Sequence, residues 1–290
     1  MRFQTVHTPT SLTEGPISQA LISFALPLLL GNLFQQLYNT ADSLIVGNFL
    51  GSEALAAVSS SGNLIFLMVG LVNGISMGAG VVIARYFGAK DYDRMQKTIH
   101  TLLAFGLVAG ALLTVSGMML SPVMLRLMDT PETVLPDSIS YFRTYFTGSL
   151  AFVLYNICMG ILQAVGDSRH PLQYLIISSL VNVVLDLLFV GVFHMGAAGA
   201  AWATIAAQAL SLVMSIVFLR RRDFVFDFHP RSFKMDKALA VQLVKLGIPA
   251  SLQGTLVSLS FMVLMTIANG VAGLTGSAAL SIAGKVNSVA

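Results

Sequence analysis

The chain has 290 residues, 56% of them hydrophobic and 10% charged, with a net charge of +3 and a mean hydropathy of +0.81. Soluble domains carry about 25% charged residues, so these proportions exclude an ordinary soluble enzyme and specify an integral membrane protein. A basic chain in water would suggest nucleic acid. Here basic connections on one side of a bilayer account for the charge, and no nucleic-acid partner is expected.

The first twenty residues are polar and carry no signal-peptide pattern, and the apolar run that follows is too long for a signal sequence. A helical span needs about 20 mostly apolar residues. The runs predict spans at 19–49, 55–84, 98–122, 140–165, 171–193, 197–219 and 243–271, with an eighth beginning near 277. The expected fold is therefore all-α, a polytopic membrane protein with a six-helix lobe followed by the first helices of a second, repeat-related lobe.

In the first span Pro27 removes the backbone bond to the Ser23 carbonyl and favours a kink. Asn32, Gln35, Asn39 and Asp42 follow at spacings of 3, 4 and 3, which keeps them on one helix face. Gly70, Gly74 and Gly78 in the second span, and Gly106 and Gly110 in the third, have the spacing that lets helices approach closely, and are read as packing. His100 and His194 lie near span ends and are read as interfacial. The single Cys158 excludes an internal disulfide, and its apolar surroundings predict an inert thiol. In the fifth span Ser178, Asn182 and Asp186 share a face at spacings of 4 and 4. In the sixth, Thr204, Gln208, Ser211 and Ser215 do so at 4, 3 and 4. No P-loop, HExxH or GxSxG motif occurs, so no enzyme activity is expected.

Of the 13 acidic residues, Asp42 and Asp186 fall inside long apolar runs. A charged Asp at the centre of a bilayer helix costs about 2.5–3.5 kcal/mol on insertion scales. Three helices that each carry one polar stripe satisfy it by turning the stripes toward a shared interior; Asn32, Gln35, Asn39, Ser178 and Gln208 are the candidate cavity lining. Two nearby carboxylates in a low dielectric resist joint ionisation, so one holds a proton or a cation sits between them. Asp42, Asn182, Asp186 and Thr204 all offer oxygen, which suits a proton or a hard ion such as Na⁺. Neither His nor Cys lies on these stripes, so no transition metal is expected. No cofactor is expected beyond that coupling ion.

With the N-terminus in the cytoplasm, inner segments hold 12 Lys and Arg residues: Arg2, the cluster from Arg85 to Lys97, Arg169, and the run from Arg220 to Lys237. Outer segments hold two, Arg126 and Arg143. That asymmetry sets the orientation. Asp129, Glu132 and Asp137 make the outer connection acidic. Residues 1–219 form the first lobe, 220–242 a basic cytoplasmic linker, and 243–290 the start of a second lobe. The second unit restarts like the first: Pro27 matches Pro249 and Gly51-Ser52 matches Gly276-Ser277, at offsets of 222 and 225. Internal repeats of this kind are frequent in secondary transporters. The position matching Asp42 is Leu264 or Ile267, which confines a carboxylate site to the first lobe.

The opening "LTEGPISQALISFALPLLLGNLFQQLYNTADSLIVGNFLGSEALAAVS", the stretch "LQAVGDSRHPLQYLIISSLVNVVLDLLFV" and "GAAGAAWATIAAQ" resemble the multidrug and toxic compound extrusion (MATE) family of efflux transporters. The resemblance covers the whole chain. It implies two six-helix lobes in a V, with the second mostly absent here, and a monomer in a bacterial or archaeal cytoplasmic membrane. It also implies cation-coupled export, by Na⁺ or H⁺, of small organic and often cationic compounds. The family's first-lobe ion site falls on Asp42, Asn182, Asp186 and Thr204. Two alternatives stand beside this reading: a flippase for lipid-linked saccharides, disfavoured by spans that hold almost no basic residue except Lys285, and a non-transporting membrane scaffold.

Overall fold

The computed structural model describes residues 16–127, 132, 133, 135–221 and 236–253, with isolated positions from 256 to 267; side chains at 52–69, 71 and 221 are outside the description. Arg2, Asp129, most of the 220–242 linker, Gly276, Ser277 and the eighth run with Lys285 lie outside the described residues.

One helical run, Ile17–Gly88, is broken at Gly51 into α1 (Ile17–Gly51) and α2 (52–88). Gly51 has φ 83° and ψ −175°, a region that side chains with a Cβ avoid, so glycine lets the chain kink there without a loop. Pro27 lies within α1, and the non-helical dihedrals in the whole run fall at Gly51 rather than at the proline. α3 (Tyr92–Leu127) starts on Asp91, whose Oδ1 accepts the Arg94 N–H at 3.2 Å, a capping arrangement.

The fourth predicted span, 140–165, is not one continuous helix. It is two helices, α4 (Leu135–Thr147) and α5 (Ser149–Ala164), bent by 50° about Gly148. The bend lies where packing demands glycine, because a Cβ at Gly148 would press into Ile205 of the sixth span. α6 (Arg169–Asp186) ends in a π-helical segment, Leu187–Val192, that begins directly after Asp186. α7 (Ala197–Arg221) follows. The chain then re-enters as a helix, α8 (237–253), capped by Asp236, whose Oδ1 accepts N–H bonds from Ala238 at 2.8 Å and Leu239 at 3.2 Å.

Among the described residues there is no strand. Four helices are long and apolar enough to cross a membrane, or five when α4 and α5 count as one bent span. The protein is all-α and membrane-embedded, as its composition required. α3 packs along α4 and α5, and α6 lies against α7 and the first helical run; α7 touches α4, α5 and α6 and forms the centre of the bundle. The dry core sits between α2, α3 and α5, where Ile83, Ile99, Leu102, Ile157, Ile161 and Leu162 are buried.

The glycine expectations divide. Gly106 and Gly110 face Ile157 and Leu150, and Gly78 meets the backbone of Gly247 on α8, so these are close approaches. Among the described residues nothing lies within 4 Å of the Cβ that Gly70 lacks. Cys158 is buried and free. His194 is exposed, and His100, near the start of α3, is buried at 7% exposure.

Candidate functional site: a carboxylate pair at a polar cavity

A cavity of about 860 Å³ opens between α1, α4, α5, α6 and α7. The predicted stripes meet on it: Asn32, Gln35, Asn39 and Asp42 from α1, Ser178 and Asn182 from α6, and Thr204, Gln208 and Ser211 from α7. Pro27 also lies on the wall. Ser215 does not. It is fully buried and bonds the Ser211 carbonyl at 2.6 Å, so the far end of the α7 stripe is packing. Ser211 itself reaches the Tyr174 carbonyl at 3.4 Å and so joins α7 to α6.

Asp186 is not part of the wall. It has no exposed surface and sits behind it, close enough to Asp42 for the two carboxyl groups to interact. Two carboxylates approach this closely only with a proton or a cation to offset their repulsion. Asn182, 1% exposed, lies one turn before Asp186. Its amide nitrogen donates to Asp186 Oδ2 at 2.9 Å and its oxygen accepts from Thr204 N at 3.1 Å. The opposite amide rotamer leaves only a 3.4 Å contact to the Thr204 hydroxyl and turns oxygen toward oxygen, so the first assignment is adopted. Thr204 donates its hydroxyl to the Ala200 carbonyl at 3.0 Å.

One oxygen on each acid, Asp42 Oδ1 and Asp186 Oδ1, is buried and has no hydrogen-bond partner among the described residues. A buried acceptor left in this state costs free energy. An unused oxygen on each acid is the kind of acceptor a proton or a hard monovalent ion would satisfy. Among the described residues no group of three His, Cys, Asp or Glu side chains could hold a metal.

Sequence reasoning missed the aromatic part of the wall. Tyr38, Tyr141, Tyr145 and Tyr155 line the cavity. The Tyr38 hydroxyl is near Thr204, and that of Tyr145 is near Gln208. Tyr38 stands one turn before Asp42 on the face already identified, so its spacing could have revealed it. Asn156 and Gln163, two turns apart on α5, add a further polar pair to the wall that sequence reasoning missed. Among the described residues no Lys, Arg or His lines the cavity, and Asp42 is its one acid.

Residues 27–188 match the MatE family model. The probable multidrug resistance protein YoeA of Bacillus subtilis is 36% identical over 285 residues, covering 96% of this chain and 61% of the relative. YpnP of the same organism, also a probable multidrug resistance protein, is 32% identical over 259 residues, covering 89% and 57%. Among solved structures, a MOP superfamily transporter from Pyrococcus furiosus superposes with a TM-score of 0.86 at 26% identity, over 96% of this chain and 62% of that one. The chain thus spans about three-fifths of the length of these relatives.

Proposed function

The chain belongs to the MatE family, and on that premise we propose that it supplies the ion-coupled lobe of an antiporter that exports organic compounds across a cytoplasmic membrane. The observation that carries the reading is the Asp42–Asp186 pair, with one unpartnered buried oxygen on each acid, placed at the wall of a polar cavity. A proton or Na⁺ entering from outside offsets the repulsion between the two acids. Asn182 holds Asp186 through its amide nitrogen and, by accepting the Thr204 N–H, ties α6 to α7.

Organic cargo occupies the cavity itself. Its described wall offers one acid, several amides and four tyrosines, and no basic side chain to repel a cation. Neutralising Asp42 weakens the attraction for a cationic cargo, so ion entry and cargo release are linked through one charge. Such linkage is reciprocal: cargo bound at Asp42 lowers the affinity for the ion by the same factor. A described wall without basic residues weighs against a flippase, which would need them to hold a pyrophosphate. The basic turns at Arg85–Lys97 and at Arg169 support an N-terminus on the cytoplasmic side.

The test is transport by the full chain in vesicles with imposed gradients. Export of ethidium should require an inward gradient of Na⁺ or H⁺ and be lost in Asp42→Asn and in Asp186→Asn. Ethidium export that persists in both variants and still collapses with the gradient would place the coupling site elsewhere.

A further inference from the structure

α3 contains a proline well inside its length, Pro122. A proline at this position has no N–H for the carbonyl four residues earlier, which is Met118, and its ring pushes that carbonyl outward. The freed Met118 oxygen has two replacement donors. The Ser121 hydroxyl reaches it at 3.0 Å from within α3. The second comes from another helix: Arg143 Nε on α4 lies 3.3 Å from the Met118 oxygen and 3.3 Å from the Ser121 hydroxyl oxygen.

α4 is the short half of a bent span, 13 residues long, and Gly148 at its end releases it from the direction of α5. Its orientation must therefore be set by side contacts. Phe146 packs over Gly117 of α3, where a Cβ would collide with the ring. Arg143 grips the same stretch of α3 one residue further on. On the other face of α4 lie Tyr141 and Tyr145, both buried and both on the cavity wall. Two residues correspond to about 200° of helix rotation, so Arg143 points away from the tyrosines, and its grip fixes the roll that turns them inward.

We propose that Arg143 replaces the helix hydrogen bond that Pro122 removes and, by that contact, positions Tyr141 and Tyr145 at the cavity. Arg143 touches neither the acid pair nor the cavity; it is a positioning residue.

The test uses Arg143→Met, which keeps the apolar stem and removes the donor, alone and in a Pro122→Ala background. In that background the backbone N–H restored at position 122 returns to the Met118 carbonyl and makes Arg143 redundant. Amide exchange over 135–147 in the full chain should accelerate about tenfold in Arg143→Met, as expected when a hydrogen bond to a charged donor is lost. The same substitution with Pro122→Ala should change it less than about threefold, the signature of two sites acting on one carbonyl. Equal acceleration in both backgrounds, or none in the first, overturns the proposal. Should Arg143→Met fail to fold, Arg143→Lys, which keeps the charge but loses the planar donor, reads the same coupling.

A second readout rests on the transport reading above. The KM for ethidium export should rise about threefold in Arg143→Met with the maximal rate retained, as when ground-state and transition-state binding weaken together, and should return in the double variant. Exchange coupling with no change in KM would overturn the positioning half of the proposal. If the unmodified protein exports no ethidium, the transport reading fails, and the exchange result still decides the role of Arg143.

Discussion

Replacing Asp186 by Asn removes a charge and very little else. Asn is isosteric with Asp, and its oxygen can still accept the 2.9 Å bond from Asn182. Two carboxylates about 4 Å apart repel by about 4 kcal/mol at an effective dielectric near 20. A cation bound between them at a hundred times its dissociation constant stabilises the native state by about 2.7 kcal/mol. For a helical unit of this size that corresponds to a rise in Tm of about 5–10 °C. Thermal melting in detergent, followed by far-UV CD, should therefore show a Tm that rises with Na⁺ or with acidification in the unmodified protein. In Asp186→Asn that response should shrink below about 2 °C, an amount near the resolution of the shift-per-kcal relation. The Tm in cation-free alkaline buffer should match or exceed the unmodified value, because the repulsion is gone. A cation response of unchanged size in Asp186→Asn would refute the pair as the ion site. A large loss of basal stability would instead assign Asp186 a structural role.

Three further outcomes are expected. Thr204→Val keeps the shape but removes the hydroxyl that meets Ala200 and Tyr38; cation affinity, read from the same melting titration, should fall about tenfold, the effect of one hydrogen bond. Gly117→Ala places a methyl group on the Phe146 ring, which is already held edge-on by Phe142 at 4.7 Å, and should destabilise by about 1–3 kcal/mol in denaturant titrations without altering the cation response. Asp167 accepts the His170 N–H at 3.2 Å and faces His170 Nδ1 at 2.6 Å at the start of α6. Asp167→Ala should cost about 1–2 kcal/mol by loss of this capping contact, with Asp167→Asn recovering part of it in the same melting assay.

The polar stripes were legible because helical periodicity and the cost of a bilayer carboxylate both act locally along the chain. Spacing alone puts Asp42, Asn182 and Thr204 on the polar faces of three helices, and the bundle brings those faces to one cavity. The bend at Gly148 was not legible. A glycine in an apolar run looks like any other until Ile205, 57 residues later, fills the space its Cβ would need. The tyrosines were overlooked for a related reason: a Tyr in a membrane helix suits lipid, the headgroup region or a cavity equally well, and only its neighbours decide.

The sequence by itself determined that this chain crosses a membrane as helices, that its basic turns alternate with apolar spans, and that two acids must be kept from lipid. Each of those follows from the transfer energy of single residues and the period of the helix. Only the tertiary structure decided that Asp186 stands behind the wall while Asp42 stands on it, that one oxygen of each goes unpartnered, and that Arg143 meets the carbonyl Pro122 sets free. Those are relations between side chains and backbone groups on different helices or at different depths. They are set by how whole helices pack, a property that no one stretch of the chain contains.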